Sequence, residues 1–251
     1  MTRILCEVCI DACDGALAAE KAGAHRLELC GSLVEGGITP SAGLVQQVKS
    51  KTNLPIHILI RPRGGDFYYS PSEFDTMRDD IAFALSHNVE GIVIGLLNTD
   101  GTIDQKRMEL LIADAGPMSV TFHRAFDMTS NPSRALETLI SLGVDRLLTS
   151  GCAPTVDEGQ KLIKQLVDQA DNRIIIMPGG GINEKNTASL IKETGVCEIH
   201  FSARSQVNSP MIFHNSALNL NDNQPPSDYT RKTTDPTRLN AIIESISNKT
   251  L

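Results

Sequence analysis

Hydrophobic residues along this chain fall into short runs that alternate with longer stretches of helical periodicity. Eight of the runs are rich in β-branched, Leu and Phe residues, which favours buried strands. The predicted strands cover residues 4–10, 26–30, 56–61, 91–95, 119–123, 145–149, 173–178 and 198–202. The predicted helices cover residues 12–22, 41–51, 71–87, 104–113, 132–142, 155–170, 184–193 and 235–247. Regular alternation of strands and helices predicts a parallel sheet.

Closure of this sheet into a single (β/α)8 barrel of the TIM type is favoured by eight strand–helix units in 251 residues. An open nucleotide-binding sheet commonly carries Gly-x-Gly-x-x-Gly after its first strand, and this chain has Asp-Ala-Cys-Asp-Gly there, at residues 11–15. We expect one α/β domain over residues 1–251. An irregular segment, residues 204–234, follows the eighth strand. Two interpretations remain open for it, a lid over the site and an arm for oligomer contacts.

The charge balance narrows the class of partner. The chain has a net charge of -7 and a pI of about 5.4, which argues against a nucleic acid or an anionic membrane as its partner. No window approaches the roughly 18 apolar residues of a membrane span, and the start of the chain does not resemble a signal peptide. Six cysteines lie in or beside predicted strands, which predicts reduced thiols in the cytoplasm.

Charged and titratable side chains gather where the predicted strands end, which is where a (β/α)8 barrel builds its site. Alternation along each strand places the following sets on shared faces: Glu7, Cys9 and Asp11; Glu28 and Cys30; His57 and Arg61; Thr121 and His123; Glu198, His200 and Ser202. We expect Glu7 or Glu28 to pair with Arg61 or Arg63 inside the barrel. A layer of ion pairs that only fills the interior is the alternative to a functional site.

These residues also suit an enzyme for a small phosphorylated or carboxylated metabolite, which is one of two functional readings of the site. An imidazole carries protons near neutral pH, so His123 is the candidate proton carrier, with Glu7, Glu28 and Arg61 as further catalytic candidates. The candidate anion-binding residues are Arg63, Asp66, Arg124, Asp127, Gly179, Gly180, Gly181, Ser202 and Arg204. Loops after strands 7 and 8 commonly bind phosphate in such barrels, although these glycines also suit a tight turn.

Two cysteines, Cys9 and Cys30, end adjacent predicted strands and therefore predict neighbouring thiols. Two soft thiolates suit Cu(I), and they would also hold Zn(II) if a His or Glu joined them. A pair of buried, inert cysteines is the alternative. The spacing of Cys6, Cys9 and Cys13 superficially resembles a metal motif, but strand alternation puts Cys6 on the opposite face from Cys9.

Seven motifs give the sequence a distinctive signature: EVCID (7–11), RLELC (26–30), EGGITPS (35–41), IRPRGGDF (60–67), TFHRAFDM (121–128), LTSG (148–151) and MPGGGI (177–182). In this order they resemble the copper homeostasis family CutC over about residues 4–204. The end of this region, residues 200–204, is similar to the animal-type members. The resemblance implies a TIM-type barrel, homo-oligomerisation as a dimer or tetramer, and Cu(I) handling through Cys9 and Cys30. It also implies a cytoplasmic location, with a nuclear pool in a eukaryote.

The prediction is therefore a copper homeostasis protein that binds Cu(I). The alternative is an enzyme of isomerase, lyase or hydrolase type that acts on a small anionic metabolite, with His123 as proton carrier. A third reading is a structural or regulatory oligomer whose site no longer works, and the intact charged strand ends argue against it.

Overall fold

Eight parallel strands form one nearly closed barrel in the computed structural model, which describes residues 4–215, 217 and 228–247. The strands are β1 (Leu5–Ile10), β2 (Arg26–Leu29), β3 (Ile56–Leu59), β4 (Gly91–Ile94), β5 (Ser119–Phe122), β6 (Arg146–Thr149), β7 (Ile175–Pro178) and β8 (Glu198–Phe201). Neighbours pair in the order β7-β6-β5-β4-β3-β2-β1-β8, and a parallel bridge between Gly179 and His200 joins the two ends. The predicted (β/α)8 barrel is confirmed.

Helices connect successive strands and cover the outside of the barrel. They are α1 (Cys13–Lys21), α2 (Ala42–Lys51), α3 (Pro71–Ser86), α4 (Gln105–Ala115), α5 (Pro132–Ser141), α6 (Val156–Ala170), α7 (Thr187–Thr194) and α8 (Pro236–Ser247). The start of α3 follows from its sequence, since Ser70 and Glu73 form a reciprocal capping box and Pro71 opens the first turn. Helix α7 begins later than predicted because a turn over residues 184–186 precedes it. In this turn the Asn186 side chain accepts a hydrogen bond from the Asn183 amide.

Strand alternation divides the side chains between the helices and the barrel interior. Apolar residues such as Val8, Ile10 and Leu27 are buried in the main core between the strands and the helices. Cys6 belongs to that core, whereas Cys9 belongs to a separate small cluster with Cys30, Leu59 and Val93. The predicted opposite orientation of Cys6 and Cys9 is thereby confirmed. No helix in the described part of the chain has the length and apolar character needed to cross a membrane.

The lower interior of the barrel is filled by buried ion pairs. Arg26 donates to Glu7 Oε2 at 2.5 Å and to Glu198 Oε2 at 2.6 Å, and Arg146 donates to Glu198 at 2.8 Å. The expected pairing of Glu7 or Glu28 with Arg61 or Arg63 is wrong. The parallel register sets Glu7 directly opposite Arg26, and the arginine therefore reaches it from the next strand.

The segment that follows β8 is not irregular at its two ends. Residues Arg204–Asn208 (β9) and Thr230–Thr234 (β10) pair as an antiparallel ribbon, with Arg204 opposite Thr234. The prediction of an irregular segment is wrong for these strands, because both are polar and carry no apolar alternation that would reveal them. Residues 216 and 218–227 of the predicted lid or arm lie outside the described residues.

Candidate metal and anion site

Two thiols face each other inside the barrel, where β1 and β2 end. The sulfur atoms of Cys9 and Cys30 are 3.6 Å apart, and both side chains are buried. Leu59 and Val93 pack around them in a small apolar cluster. The strand pattern predicts such proximity; the role of the two thiols as metal ligands stays a prediction.

A carboxyl group and an imidazole complete the surroundings of the thiols. Burial and the charge of Cys9 raise the pKa of this carboxyl group, Glu28, well above its usual value. Cys30 Sγ also lies 3.3 Å from Glu28 Oε2, and this oxygen lies 3.7 Å from His200 Nε2. Candidate ligand atoms of Cys9, Glu28 and Cys30 all lie within 4.8 Å of one another, as do those of Glu7, Glu28 and His200. The two thiols suit Cu(I), and together with the oxygen of Glu28 they would also suit Zn(II).

Hydrogen bonding divides the two thiols into a thiolate and a thiol. The hydrogen bond from Cys30, helped by His200, lowers the pKa of Cys9 to about 5. Burial raises the pKa of Cys30 well above its usual value, so Cys30 keeps its proton at neutral pH. Cys9 is therefore the thiolate of the pair before any metal arrives.

His200 is held as an imidazolium between two carboxyl groups. Burial alone would lower its pKa, but the charge of Glu28 and hydrogen bonds to Cys9 and Glu7 raise it well above the usual value. Its Nδ1 lies 2.8 Å from Glu7 Oε1. Burial opposes ionisation of Glu7 as well, yet the bond from His200 and the charge of Arg26 hold the pKa of Glu7 well below its ordinary range. The thiolate and the imidazolium thus partly neutralise each other.

Above the thiols, a cavity of about 470 Å³ opens at the carboxyl ends of the strands. Most of the predicted site residues contribute to its wall: Cys9, Glu28, Arg61, His123, Arg124, Gly180, Gly181, Ser202 and Arg204. Its size lies within the usual range for a small-molecule pocket. The loops after β7 and β8 supply one side, as expected for a barrel of this type.

Other predicted residues lie away from this cavity. Arg63 donates to Glu73 at 2.6 Å and to Asp66 at 3.0 Å on the outer surface, near the start of α3. Asp127 accepts hydrogen bonds from the Thr149 hydroxyl and from backbone amides that follow β6, and it anchors the Arg124 guanidinium at 2.8 Å. Gly179 belongs to the closure of the barrel rather than to the cavity wall. Glu7 and Cys30 lie in the buried floor.

His123 is buried with one ring nitrogen committed to the backbone. Its Nδ1 accepts a hydrogen bond from the Ala125 amide at 3.1 Å, and its Nε2 has no hydrogen-bond partner within the described residues. Burial, together with the nearby charge of Arg61, lowers the pKa of His123 to about 3. The ring is therefore neutral at physiological pH with its proton on Nε2, where it is a hydrogen-bond donor. Its role as proton carrier stays a prediction.

Three residues of the site were absent from the candidates chosen from the sequence. His200 was placed on the right strand face but was given no role, although it shares that face with Glu198 and Ser202. Lys232 and Arg238 reach the cavity from β10 and α8. No sequence spacing connects them to the barrel strands, because the pairing of β9 with β10 is what brings them there.

Comparison with known proteins gives a consistent family match. The model of the CutC family matches residues 4–205. A copper homeostasis protein cutC homolog of Mus musculus is 48% identical over 245 residues, which are 96% of this chain and 90% of that protein. A family protein CutC of Bacteroides fragilis is 43% identical over 249 residues, 99% of each chain. A solved CutC structure from Streptococcus agalactiae superposes with a TM-score of 0.75 at 35% identity, covering 79% of this chain and 98% of that one. The resemblance drawn from the motifs is confirmed.

Proposed function

We propose that this chain, which belongs to the CutC family, binds Cu(I) in the cytoplasm through Cys9 and Cys30. The observation that carries the proposal is the buried pair of sulfur atoms at 3.6 Å. Soft thiolates select Cu(I) over harder cations. The names of the relatives, copper homeostasis proteins, agree with this choice of cargo.

The separation of the sulfurs also constrains the coordination geometry. With a metal–sulfur bond of about 2.3 Å, sulfurs 3.6 Å apart subtend an angle of roughly 100° at the metal. A linear, two-coordinate ion would need them about 4.6 Å apart on the same bond length. The site as folded therefore favours a bent arrangement, in which Glu28 supplies a further donor, since its ligand oxygen lies within 4.8 Å of both sulfurs.

Binding also has a proton balance. Cys9 enters as a thiolate, whereas Cys30 must lose a proton, because ligation requires the deprotonated sulfur. The affinity for Cu(I) is therefore expected to rise with pH. All six cysteines are free thiols, which supports a reducing compartment such as the cytoplasm.

The test is an anaerobic titration of the reduced protein with Cu(I) against a competing chelator. We expect one tight equivalent in the wild type and its loss in the Cys9→Ser/Cys30→Ser variant. The matched control is Cys152→Ser/Cys197→Ser, which removes two thiols that lie outside the pair and should keep the site. Equal affinity in the Cys9/Cys30 double variant would overturn the proposal. A parallel titration with Zn(II) reports the selectivity of the site.

A further inference from the structure

The cavity above the thiols has a charge opposite to that of the chain. Among the described residues, five Lys and Arg side chains line it: Arg61, Arg124, Arg204, Lys232 and Arg238. The His200 imidazolium adds a further positive charge, whereas the acidic groups of the wall are Glu28 and the Cys9 thiol. Arg124 and Arg238 also contact carboxylates behind the wall, those of Asp127 and Glu184. The whole protein carries a net charge of -7. A cleft with low-dielectric walls focuses the field of the charges that line it, so this cavity attracts anions although the molecule as a whole repels them. Binding of a metal cation alone does not require such a lining.

Arg61 is the most unusual of these cations. It is only 6% exposed, and its guanidinium donates to three backbone carbonyl oxygens, those of Glu35, Gly37 and Gly65, at 2.7–2.9 Å. No carboxylate within the described residues forms an ion pair with it, and its buried Nε has no hydrogen-bond acceptor. The nearby Tyr69 hydroxyl does not neutralise it, because burial raises the pKa of that phenol to about 12. Buried charges are normally paired with a counter-ion, and Arg61 is an exception among the described residues.

A second unsatisfied donor belongs to the same wall. The Nε2–H of His123 is buried and has no acceptor among the described residues, while Nδ1 is occupied by the Ala125 amide. Phe67 neighbours both groups, since its ring centroid lies 4.9 Å from that of His123 and 5.1 Å from the guanidinium carbon of Arg61. Two buried donors without acceptors, beside one cavity, indicate that an acceptor-rich ligand completes the site.

The opposite wall comes from the loops after β7 and β8 and from the C-terminal elements. Gly180, at a φ of +112°, lies against Arg124, and a Cβ there would sit 3.4 Å from the guanidinium. Within the described ranges, Arg204 has a buried Nε without a hydrogen-bond partner, and its one carboxylate contact, with Asp11, is long at 3.5 Å. Its Nη2 donates to the Lys232 carbonyl oxygen at 2.9 Å. Arg238 binds the backbone oxygen of Arg204 at 2.7 Å and thereby fixes α8 to this edge.

From this arrangement we infer that the cavity binds a small metabolite through an oxyanion group, either phosphate or carboxylate, held between Arg61 on one wall and Arg204, Lys232 and Arg238 on the other. The ligand lies above Cys9 and Glu28, so it would cover the thiol pair. This site is additional to Cu(I) coordination and involves separate residues. The sequence suggested an anionic small molecule as an alternative ligand, and this cavity is where we infer that it binds.

The test is calorimetric titration of copper-free, reduced protein with inorganic phosphate and, separately, with malonate, both at ionic strength matched with chloride. Arg61 is left intact because it holds three loop carbonyls. The variant is Lys232→Met/Arg238→Met, and the control is Lys164→Met/Arg173→Met, which removes the same charge from surface ion pairs outside the cavity. Far-UV circular dichroism establishes that both variants fold.

We expect binding of at least one of the two anions to the wild type and to the control, weakened about tenfold or more in the Lys232/Arg238 variant. A preference for phosphate or for malonate assigns the oxyanion class, and either preference supports the inference. Absence of binding of both anions to the wild type, or equal affinities in variant and control, would overturn it. Because copper is absent throughout, such a failure leaves the thiol site untouched.

Discussion

Arg26 lies at the centre of the ion pairs that fill the lower barrel, and its replacement gives a quantitative test of that interior. Its side chain is 5% exposed, and its two partners, Glu7 and Glu198, are 0% and 7% exposed. The Arg26→Met variant keeps the length of the side chain but removes the charge between two buried carboxylates. Loss of one partner from a buried pair costs about 3–5 kcal/mol.

That magnitude is a large part of the free energy of unfolding of a typical domain, which is about 5–15 kcal/mol. Urea denaturation followed by far-UV circular dichroism is the assay, because the chain contains no Trp as a fluorescence reporter. The Glu7→Gln/Arg26→Met variant should recover part of the loss, since it also removes the uncompensated Glu7 charge and leaves the bond between Arg146 and Glu198 in place.

The control is Arg173→Met, which breaks an ion pair whose partners are about half exposed and should leave the urea midpoint nearly unchanged. If Arg26→Met destabilised no more than this control, the buried carboxylates would be neutralised in some other way. The ion pairs of Arg26 would then contribute nothing to the stability of the lower interior.

The remaining predictions concern pH, a glycine and assembly. The unfolded His123 ring is protonated below about pH 6.5, whereas the folded ring, with a pKa of about 3, stays neutral. Between pH 7 and 5 the free energy of unfolding, measured with urea, should therefore fall by about 2 kcal/mol more in the wild type than in His123→Gln. Equal losses would contradict the lowered pKa. Gly37→Ala should lower both the urea midpoint and the affinity for Cu(I). The φ of Gly37 is +93°, and a Cβ would lie 2.7 Å from Leu59 and 3.4 Å from Cys30. Wild-type values in both assays would contradict this prediction. The dimer or tetramer stays a prediction. The Ile212 side chain is 99% exposed, and if it is buried between copies, Ile212→Glu should lower the mass measured by light scattering. An unchanged mass of the oligomer would exclude this residue from the interface.

The sequence was sufficient to predict the barrel because periodicity repeats in every unit. Along β1, for example, alternation separates Val8 and Ile10 from Glu7 and Cys9 whatever the neighbouring strands do. The nearness of Cys9 and Cys30 could also be predicted, since both lie at the same end of strands that follow one another.

Contacts that depend on register or on polar strands could not be predicted in this way. Which arginine neutralises Glu7 depends on the offset between β1 and β2, and no local pattern reveals that the offset brings Arg26 opposite it. The contributions of Lys232 and Arg238 to the cavity depend on the pairing of β9 with β10, through backbone bonds that leave no apolar alternation in the sequence. Tertiary placement, rather than local propensity, decides these parts of the site.

The most direct test of the thiol site is X-ray absorption at the copper edge of protein loaded with one equivalent of Cu(I). Binding through Cys9 and Cys30 predicts two sulfur scatterers in the first shell, together with a nitrogen or oxygen donor that reflects the bent geometry of the pair. The same measurement on the Cys30→Ser variant should show one sulfur fewer. A first shell without sulfur, or one that is unchanged in that variant, would contradict the claim that Cys9 and Cys30 hold the copper.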